Sequence, residues 1–429
     1  MPGAASKAAP VIAVPSVLAT PLPSSDIMAL LLALAVLIAA AKLMGELSLR
    51  LGQPAVLGEL AAGLLLGPSV INLLGRPLLQ GESVGVTIHV LGQLGVLWLM
   101  FAAGLETEFS DLRNAGRPAL LAGTLGALLP IAFGLGIGLA FGYPFVQALS
   151  IGIILSATSV SISAQTLLEL GVLRSPEGVG LLGAAVIDDI LVVAILSVFL
   201  ALTGVGSSLG GVLAQLGLML AVLAGVAALS VYVLPRVAEW SSRLRTSQAL
   251  LAMALASVLL LAWATEALGG VAAITGAFLA GLGLGRSHLR DEIERGLSRL
   301  AYAFFVPLFL VDIGLQADAR ALQAGEAVFA VVLILVAVIS KVAGSGLGAW
   351  LGGYPRPAAL RIGIGMISRG EVGLIVAGVS VANGILAPQV FTVVVLMVLA
   401  TTLVTPPLLR WAFSRQESED ATAREHGDP

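Results

Sequence analysis

The sequence contains no cysteine and has few charged residues. Without cysteine, the 429-residue chain has neither disulfides nor thiolate metal ligands. Charged residues make up 11% of the chain, whereas about 25% is usual for a soluble domain. Hydrophobic residues make up 58%. This composition excludes an ordinary soluble protein and predicts a membrane protein, and the 51 glycines favour closely packed transmembrane helices.

Long apolar segments follow one another from residue 27 to residue 412. A membrane-spanning helix needs about 20 mostly apolar residues, and this criterion gives thirteen segments. They are 27–44, 54–70, 84–104, 117–141, 144–168, 178–203, 209–234, 247–265, 269–286, 299–315, 326–352, 357–383 and 388–412. We therefore expect an all-α polytopic membrane protein with about 13 transmembrane helices. Residues 1–26, with five prolines, predict a flexible N-terminal tail, and the polar residues 413–429 predict a cytoplasmic tail.

Lysine and arginine are distributed very unequally between the two sides of such a chain. Cytoplasmic loops carry an excess of these residues. Thirteen spans place seventeen of them on one side and three, Lys7, Arg76 and Arg320, on the other. Only Lys341 and Arg369 fall inside spans. The distribution predicts an external N-terminus and a cytoplasmic C-terminus.

An odd number of spans with one linker is compatible with an inverted repeat. The first six and the last six segments form two units of opposite orientation, joined by the linker helix 209–234. Transporters built in this way place their substrate site near the bilayer midplane, where broken helices meet. The fifth and twelfth segments are equivalent in this scheme, so we expect two inverted six-helix repeats with crossed broken helices.

Two adjacent acids, Asp188 and Asp189, lie in the middle of the sixth segment, "GLLGAAVIDDILVVAILSVFLALTG". Charges inside a bilayer are costly, so they are candidates for function. Successive helical residues are about 100° apart, so one acid can face a partner helix while the other faces a cavity. Lys341, in "AVISKVAGSGLGAW", is the partner that we expect for Asp188. That pair could also be a static link between two helices.

The fifth and twelfth segments contain polar interruptions. Thr158 and Ser159 lie in a run of small hydroxylated residues, which can satisfy the backbone of an unwound helix or provide oxygen ligands for an alkali cation. Helix packing by small residues is the alternative. The twelfth segment breaks at Arg369-Gly370-Glu371. We interpret Arg369 and Glu371 as groups that neutralise helix ends or each other.

Two further acids, Glu59 and Glu106, lie in the second segment and near the end of the third. Either could guide cations toward the site, but a structural or interfacial position is the interpretation that we favour. The three histidines show no spacing to carboxylates that indicates a transition-metal site.

Together these motifs resemble the monovalent cation:proton antiporter superfamily, close to the bacterial sodium/proton exchangers with thirteen helices. The resemblance covers roughly residues 27–412. It is carried by "AAVIDDILVVAILS", "ATSVSISAQTLLELG", "ISRGEVGLIVAG" and the segment that contains Lys341. It implies the sodium/proton antiporter fold, in which the dimerisation part is 27–104 and 247–315 and the transport core is 117–203 and 326–412.

The resemblance also implies roles for individual residues. Asp189 matches the essential ion-binding and proton-carrying acid, and Asp188 matches the acid that pairs with a lysine, here Lys341. Thr158 and Ser159 match residues that line the site, and Glu371 matches the acid of the opposite broken helix. Sodium would be held at Asp189, Asp188 and Thr158. The double aspartate with this lysine is similar to the electrogenic exchangers.

These observations predict a secondary antiporter, not an enzyme. We expect it to exchange protons for sodium, and also lithium, across an inner membrane by an elevator-type movement, as a homodimer without a cofactor or a nucleic-acid partner. A potassium/proton antiporter on the same scaffold is the alternative. An intramembrane aspartyl protease needs its two acids on separate helices, and adjacent aspartates do not provide this. A channel is disfavoured as well, because nothing in the sequence indicates a continuous polar pore.

Overall fold

The computed structural model describes residues 24–79, 81, 83–107, 116–202, 209–316, 320 and 326–425, and the regular secondary structure in these ranges is entirely helical. The helices are α1 (Ser24–Arg50), α2 (Ala55–Leu66), α3 (Val84–Glu106), α4 (Gly116–Ala140), α5 (Phe145–Ser156), α6 (Val160–Glu169), α7 (Pro176–Leu202), α8 (Leu209–Tyr232), α9 (Leu234–Ser242), α10 (Ala249–Gly269), α11 (Ala273–Leu284), α12 (Arg290–Leu300), α13 (Val306–Leu315), α14 (Ala327–Gly352), α15 (Arg356–Gly365), α16 (Glu371–Ala382) and α17 (Pro388–Glu425). A π-helical turn, Ala301–Phe305, joins α12 to α13. The predicted all-α fold is confirmed.

Ten helical stretches in the described residues are long and apolar enough to cross a membrane. Shorter apolar helices lie at Ala55–Leu66, Ala273–Leu284 and Val372–Val381. Each of the thirteen predicted segments coincides with a helix or a broken helix, but thirteen spans as a count stays a prediction. Most of the predicted N-terminal tail lies outside the described residues. In the predicted C-terminal tail, α17 continues to Glu425, because that polar stretch is rich in residues with good helix propensity.

Two of the predicted segments are broken helices. The first stops at Ser156, passes through residues 157–159 without helical hydrogen bonds, and resumes at Val160. The second stops at Gly365 and resumes at Glu371. A break frees backbone groups that must find partners inside the protein, because the hydrocarbon core of a membrane offers none. Polar side chains at and around the breaks supply them.

The helices pack as two groups. One group contains α4 to α7 together with α14 to α17, and α4 lies against α14 along much of its length. This contact is close because Gly344 and Gly348 of α14 face α4: a Cβ at Gly348 would lie 2.2 Å from the carbonyl oxygen of Leu121. Small residues in helix interfaces allow backbones to approach in this way.

The second group contains α1 to α3 and α10 to α13, with α8 packed against α10 and α11. Its centre is the contact of α3 with α11, where Gly104 and Gly281 face each other's helices; a Cβ at Gly104 would lie 2.1 Å from the carbonyl oxygen of Phe278. Contacts between the groups include α3 with α6 and α2 with α17. Both broken helices therefore lie in the first group.

Candidate functional site

The two breaks contact each other directly in the interior of the protein. The backbone N–H of Ser159 donates to the carbonyl oxygen of Ser368 at 2.9 Å. In return, the Ser368 hydroxyl donates to the carbonyl oxygen of Ser159. A Cβ at Gly370 would lie 2.6 Å from the Cβ of Ser159, so glycine is required for this approach. The breaks satisfy part of each other's freed backbone.

Asp188 is fully buried beside this crossing and forms a salt bridge with Lys341. The Lys341 ammonium lies 2.8 Å from Asp188 Oδ1 and also donates to the carbonyl oxygens of Gly126, at 2.7 Å, and Ser156, at 2.9 Å. Both side chains are 0% exposed. A buried charge is stable only when it is paired and hydrogen-bonded. Lys341 meets this condition, because its three N–H bonds have three acceptors.

Asp189 lies next to Asp188 in sequence but has a different environment. It is 8% exposed, whereas Asp188 and Lys341 are 0% exposed. Its Oδ2 accepts a hydrogen bond from the hydroxyl of Thr275, at 3.3 Å, on helix α11 of the other group. Asp189 therefore faces the boundary between the two groups, whereas Asp188 faces the interior of its own group.

Two fully buried cations, Lys341 and Arg369, each hold one helix end. Lys341 donates to the carbonyl oxygen of Ser156, the last residue of α5. Arg369, also 0% exposed, donates to the carbonyl oxygens of Met366 and Ile367, at 3.2 and 2.9 Å, just after α15. A cation at the C-terminus of a helix is stabilised by the helix dipole. Each broken helix therefore has a buried cation at the C-terminal end of the helix that precedes its break.

Other predicted site residues have separate positions. The Thr158 hydroxyl donates to the carbonyl oxygen of Ser156 at 3.4 Å, within the first break. Glu59 pairs with Lys42 at 2.8 Å, and Glu106 lies 3.8 Å from Arg174. These two ion pairs lie near the predicted cytoplasmic ends of their helices. Glu371 begins α16, and its side chain lies outside the part that the structure describes.

Two contributors were not predicted from the sequence. Thr275 is a single threonine in an otherwise apolar segment, and no spacing relates it to the aspartates. Gly126 enters the site through its carbonyl oxygen, which any residue type could provide. The residue type matters only because a Cβ at Gly126 would lie 2.2 Å from the Ser345 hydroxyl and 3.7 Å from the Lys341 ammonium. Neither residue has a signal that a sequence pattern could detect.

Crossed breaks, buried paired charges and one acid at the boundary of two helix groups define the class of protein. This architecture is typical of secondary transporters, in which broken helices meet near the substrate site. The chain belongs to the transmembrane sodium/hydrogen exchanger family, whose model matches residues 12–415. The membership confirms the resemblance that the motifs indicated.

Curated relatives match over nearly their whole lengths. The chain is 37% identical over 391 residues to the Na(+)/H(+)-K(+) antiporter GerN of Bacillus cereus, covering 90% of this chain and 96% of that protein. It is 34% identical to the high-affinity Na(+)/H(+) antiporter NhaS3 of Synechocystis, covering 91% of each. Among solved structures, the sodium proton antiporter MjNhaP1 of Methanocaldococcus jannaschii matches with a TM-score of 0.66 and 16% identity, covering 90% of this chain and 97% of that one. That structure supports the fold alone.

Proposed function

We propose that this protein exchanges protons for sodium, and also for lithium, with Asp189 as the group that both ions share. The single observation that carries the proposal is the difference between the two aspartates. Asp188 is sealed against Lys341, whereas Asp189 keeps exposed surface at the boundary between the helix groups. An acid that is to bind ions from water needs access to water, so Asp189 is the candidate.

The chemistry of a carboxylate explains the coupling. Asp189 carries either a proton or a negative charge that attracts a cation, and each state excludes the other electrostatically. Thr158 and Asp188 provide further oxygens for a sodium ion near the first break. Alkali cations, like other hard cations, prefer such oxygen ligands.

We propose that the exchange is electrogenic. Sodium that reaches Asp188 competes with Lys341 for its carboxylate, and the lysine then releases a proton. Two protons would move against one sodium ion, so net charge would cross the membrane. The contacts that support this step are the single carboxylate oxygen that Lys341 occupies and the full burial of the pair.

The transport movement that we propose is an elevator. The group with the broken helices, 117–203 and 326–412, slides as a core against the dimerisation part, 27–104 and 247–315, with 209–234 as the linker helix. The observation in support is that the two groups pack mainly within themselves. We further propose a homodimer in an inner membrane, with the N-terminus outside and the C-terminus in the cytoplasm.

Potassium is the second candidate cation. The name of the Bacillus cereus relative includes potassium beside sodium, and that protein is 37% identical to this chain. A potassium/proton exchange would use the same carboxylate and the same movement. Selectivity between the two cations depends on the ligand distances in the loaded site.

The test is ion-driven proton movement in proteoliposomes that contain the purified protein and a pH-sensitive dye. Sodium, lithium and potassium gradients are applied separately to wild type and to Asp189→Asn. We expect sodium-driven and lithium-driven proton flux in wild type and none in the variant. Glu177→Gln is a matched control, because Glu177 is 8% exposed like Asp189 but pairs with Arg361, at 2.8 Å. Sodium-driven flux in Asp189→Asn would refute the assignment.

A further inference from the structure

Thr275 connects the candidate transport acid to the opposite helix group. It lies in the first turn of α11, is 3% exposed, and donates from Oγ1 to Oδ2 of Asp189. Helix α11 packs on α3, α8 and α10, whereas Asp189 lies on α7, which packs on α4. The hydrogen bond therefore crosses the boundary at which the proposed elevator would slide.

Thr275 differs from most of the buried threonines in the partner of its hydroxyl. In membrane helices such a hydroxyl commonly bonds the carbonyl oxygen four residues earlier. Thr265 does so with Leu261 at 2.8 Å, and Thr405 does so with Thr401 at 2.7 Å. For Thr275 the residue four positions earlier is Val271, which precedes the start of α11 at Ala273. Its position in the first turn directs the hydroxyl outward, to Asp189.

The first turn of α11 also favours a negative charge nearby. Helix α11 has no side-chain cap at its N-terminus, so its first N–H groups present the positive end of the helix dipole. Only a charged carboxylate benefits fully from this end and from a hydroxyl donor. Protonated Asp189, or Asp189 that has turned toward a bound cation, benefits less.

We propose that Thr275 is a positioning residue that stabilises the deprotonated, cation-free state of Asp189. This inference rests on the proposed function and assigns a residue of the opposite helix group to the ion cycle. The Thr275 hydroxyl competes with both ions for the carboxylate. It thereby weakens the binding of the proton and of the cation by the same factor, and it must leave Asp189 whenever the core slides.

The consequence is a particular pH dependence in variants that lack the hydroxyl. Thr275→Val keeps the shape of the side chain and removes the donor. A hydrogen bond of moderate length to a charged group corresponds to roughly a three- to tenfold change in an equilibrium constant. At alkaline pH, where protons do not compete, the sodium KM should fall by about that factor. At acid pH the proton competes with sodium, and both bind Asp189 more tightly in the variant by the same factor. The two effects cancel, so the sodium KM should equal that of wild type.

The experiment measures sodium-driven proton flux in proteoliposomes from acid to alkaline pH for wild type, Thr275→Val and Thr275→Ser. Thr275→Ser restores the hydroxyl and should restore the wild-type profile. Thr265→Val is the matched control, since it removes a buried threonine hydroxyl from neighbouring α10 that bonds only its own helix in the described contacts. Thr275→Ala replaces Thr275→Val if the latter does not fold.

The possible results separate this inference from the function on which it rests. A KM that falls only at alkaline pH, with restoration by serine, supports the inference. A KM that is unchanged, or that rises at every pH as for a lost cation ligand, overturns it while wild-type exchange still supports the antiporter. If wild type shows no ion-driven proton flux, the proposed function itself fails and this inference fails with it.

Discussion

Replacing Lys341 with alanine tests the buried charge pair most directly. The substitution removes the ammonium from Asp188 Oδ1, while Asp188 Oδ2 is buried and has no hydrogen-bond partner among the described residues. It also leaves the carbonyl oxygens of Gly126 and Ser156 without this donor. We therefore expect Lys341→Ala to be substantially destabilised.

The magnitude follows from the burial of both partners. Breaking one side of a fully buried pair costs about 3–5 kcal/mol, because the remaining charge is left uncompensated. An unfolding entropy of about 2 cal/mol/K per residue, applied to 429 residues, converts this cost to a melting temperature lower by roughly 4–6 °C. Thermal unfolding in detergent, followed by tryptophan fluorescence or by monodispersity after heating, measures the decrease.

A double-mutant cycle identifies the cause of the decrease. The cycle compares Asp188→Asn and Lys341→Gln, each alone, with the double variant that carries both. Because the double variant removes both charges together, its melting temperature should lie above the value obtained by adding the decreases of the two single variants. Lys42→Ala is the control, because 49% of the Lys42 side chain is exposed and its pair with Glu59 should contribute less. If Lys341→Ala melted like wild type, or if the two changes were additive, the salt bridge would not stabilise the protein as argued.

Three further predictions concern the site and its surroundings. If the proton and sodium exclude each other at Asp189, the sodium KM should rise as pH falls, by up to about tenfold per pH unit, with the maximal flux unchanged. Arg361→Gln should lower the melting temperature by about 4–6 °C without changing the sodium KM, since Arg361 and Glu177 form a buried pair at 2.8 Å outside the breaks. Gly348→Ala should reduce both stability and flux, because its methyl group would meet the backbone of Leu121 at 2.2 Å.

Each of these predictions has a control or a result that would contradict it. Extrapolation to saturating sodium distinguishes competition from a loss of active protein, and a KM independent of pH would contradict shared binding. An unchanged melting temperature in Arg361→Gln would show that this pair is not stabilising. Gly225→Ala on α8 is the partner control for Gly348→Ala, because a Cβ at Gly225 meets nothing within 4 Å. A similar loss in both glycine variants would refute the packing argument.

The sequence by itself was enough to predict the class of protein, the two broken helices and the acidic residues that are candidates for ion binding. Continuous apolar segments indicate membrane helices because a bilayer excludes unpaired backbone groups. The isolated charges Asp188, Asp189, Lys341 and Arg369 stood out because such charges are costly in that environment. These signals depend on the local composition of the chain, so one sequence suffices to find them.

Only the tertiary structure decided which groups meet. Asp188 and Asp189 are the same residue type in the same segment. Their environments differ because α7 directs Asp188 toward Lys341 and Asp189 toward α11. The carbonyl oxygen of Gly126 and the hydroxyl of Thr275 join the site through helix packing across more than 80 residues of sequence. A backbone oxygen carries no residue signature, and a single threonine acquires its partner only from the register in which two helices pack.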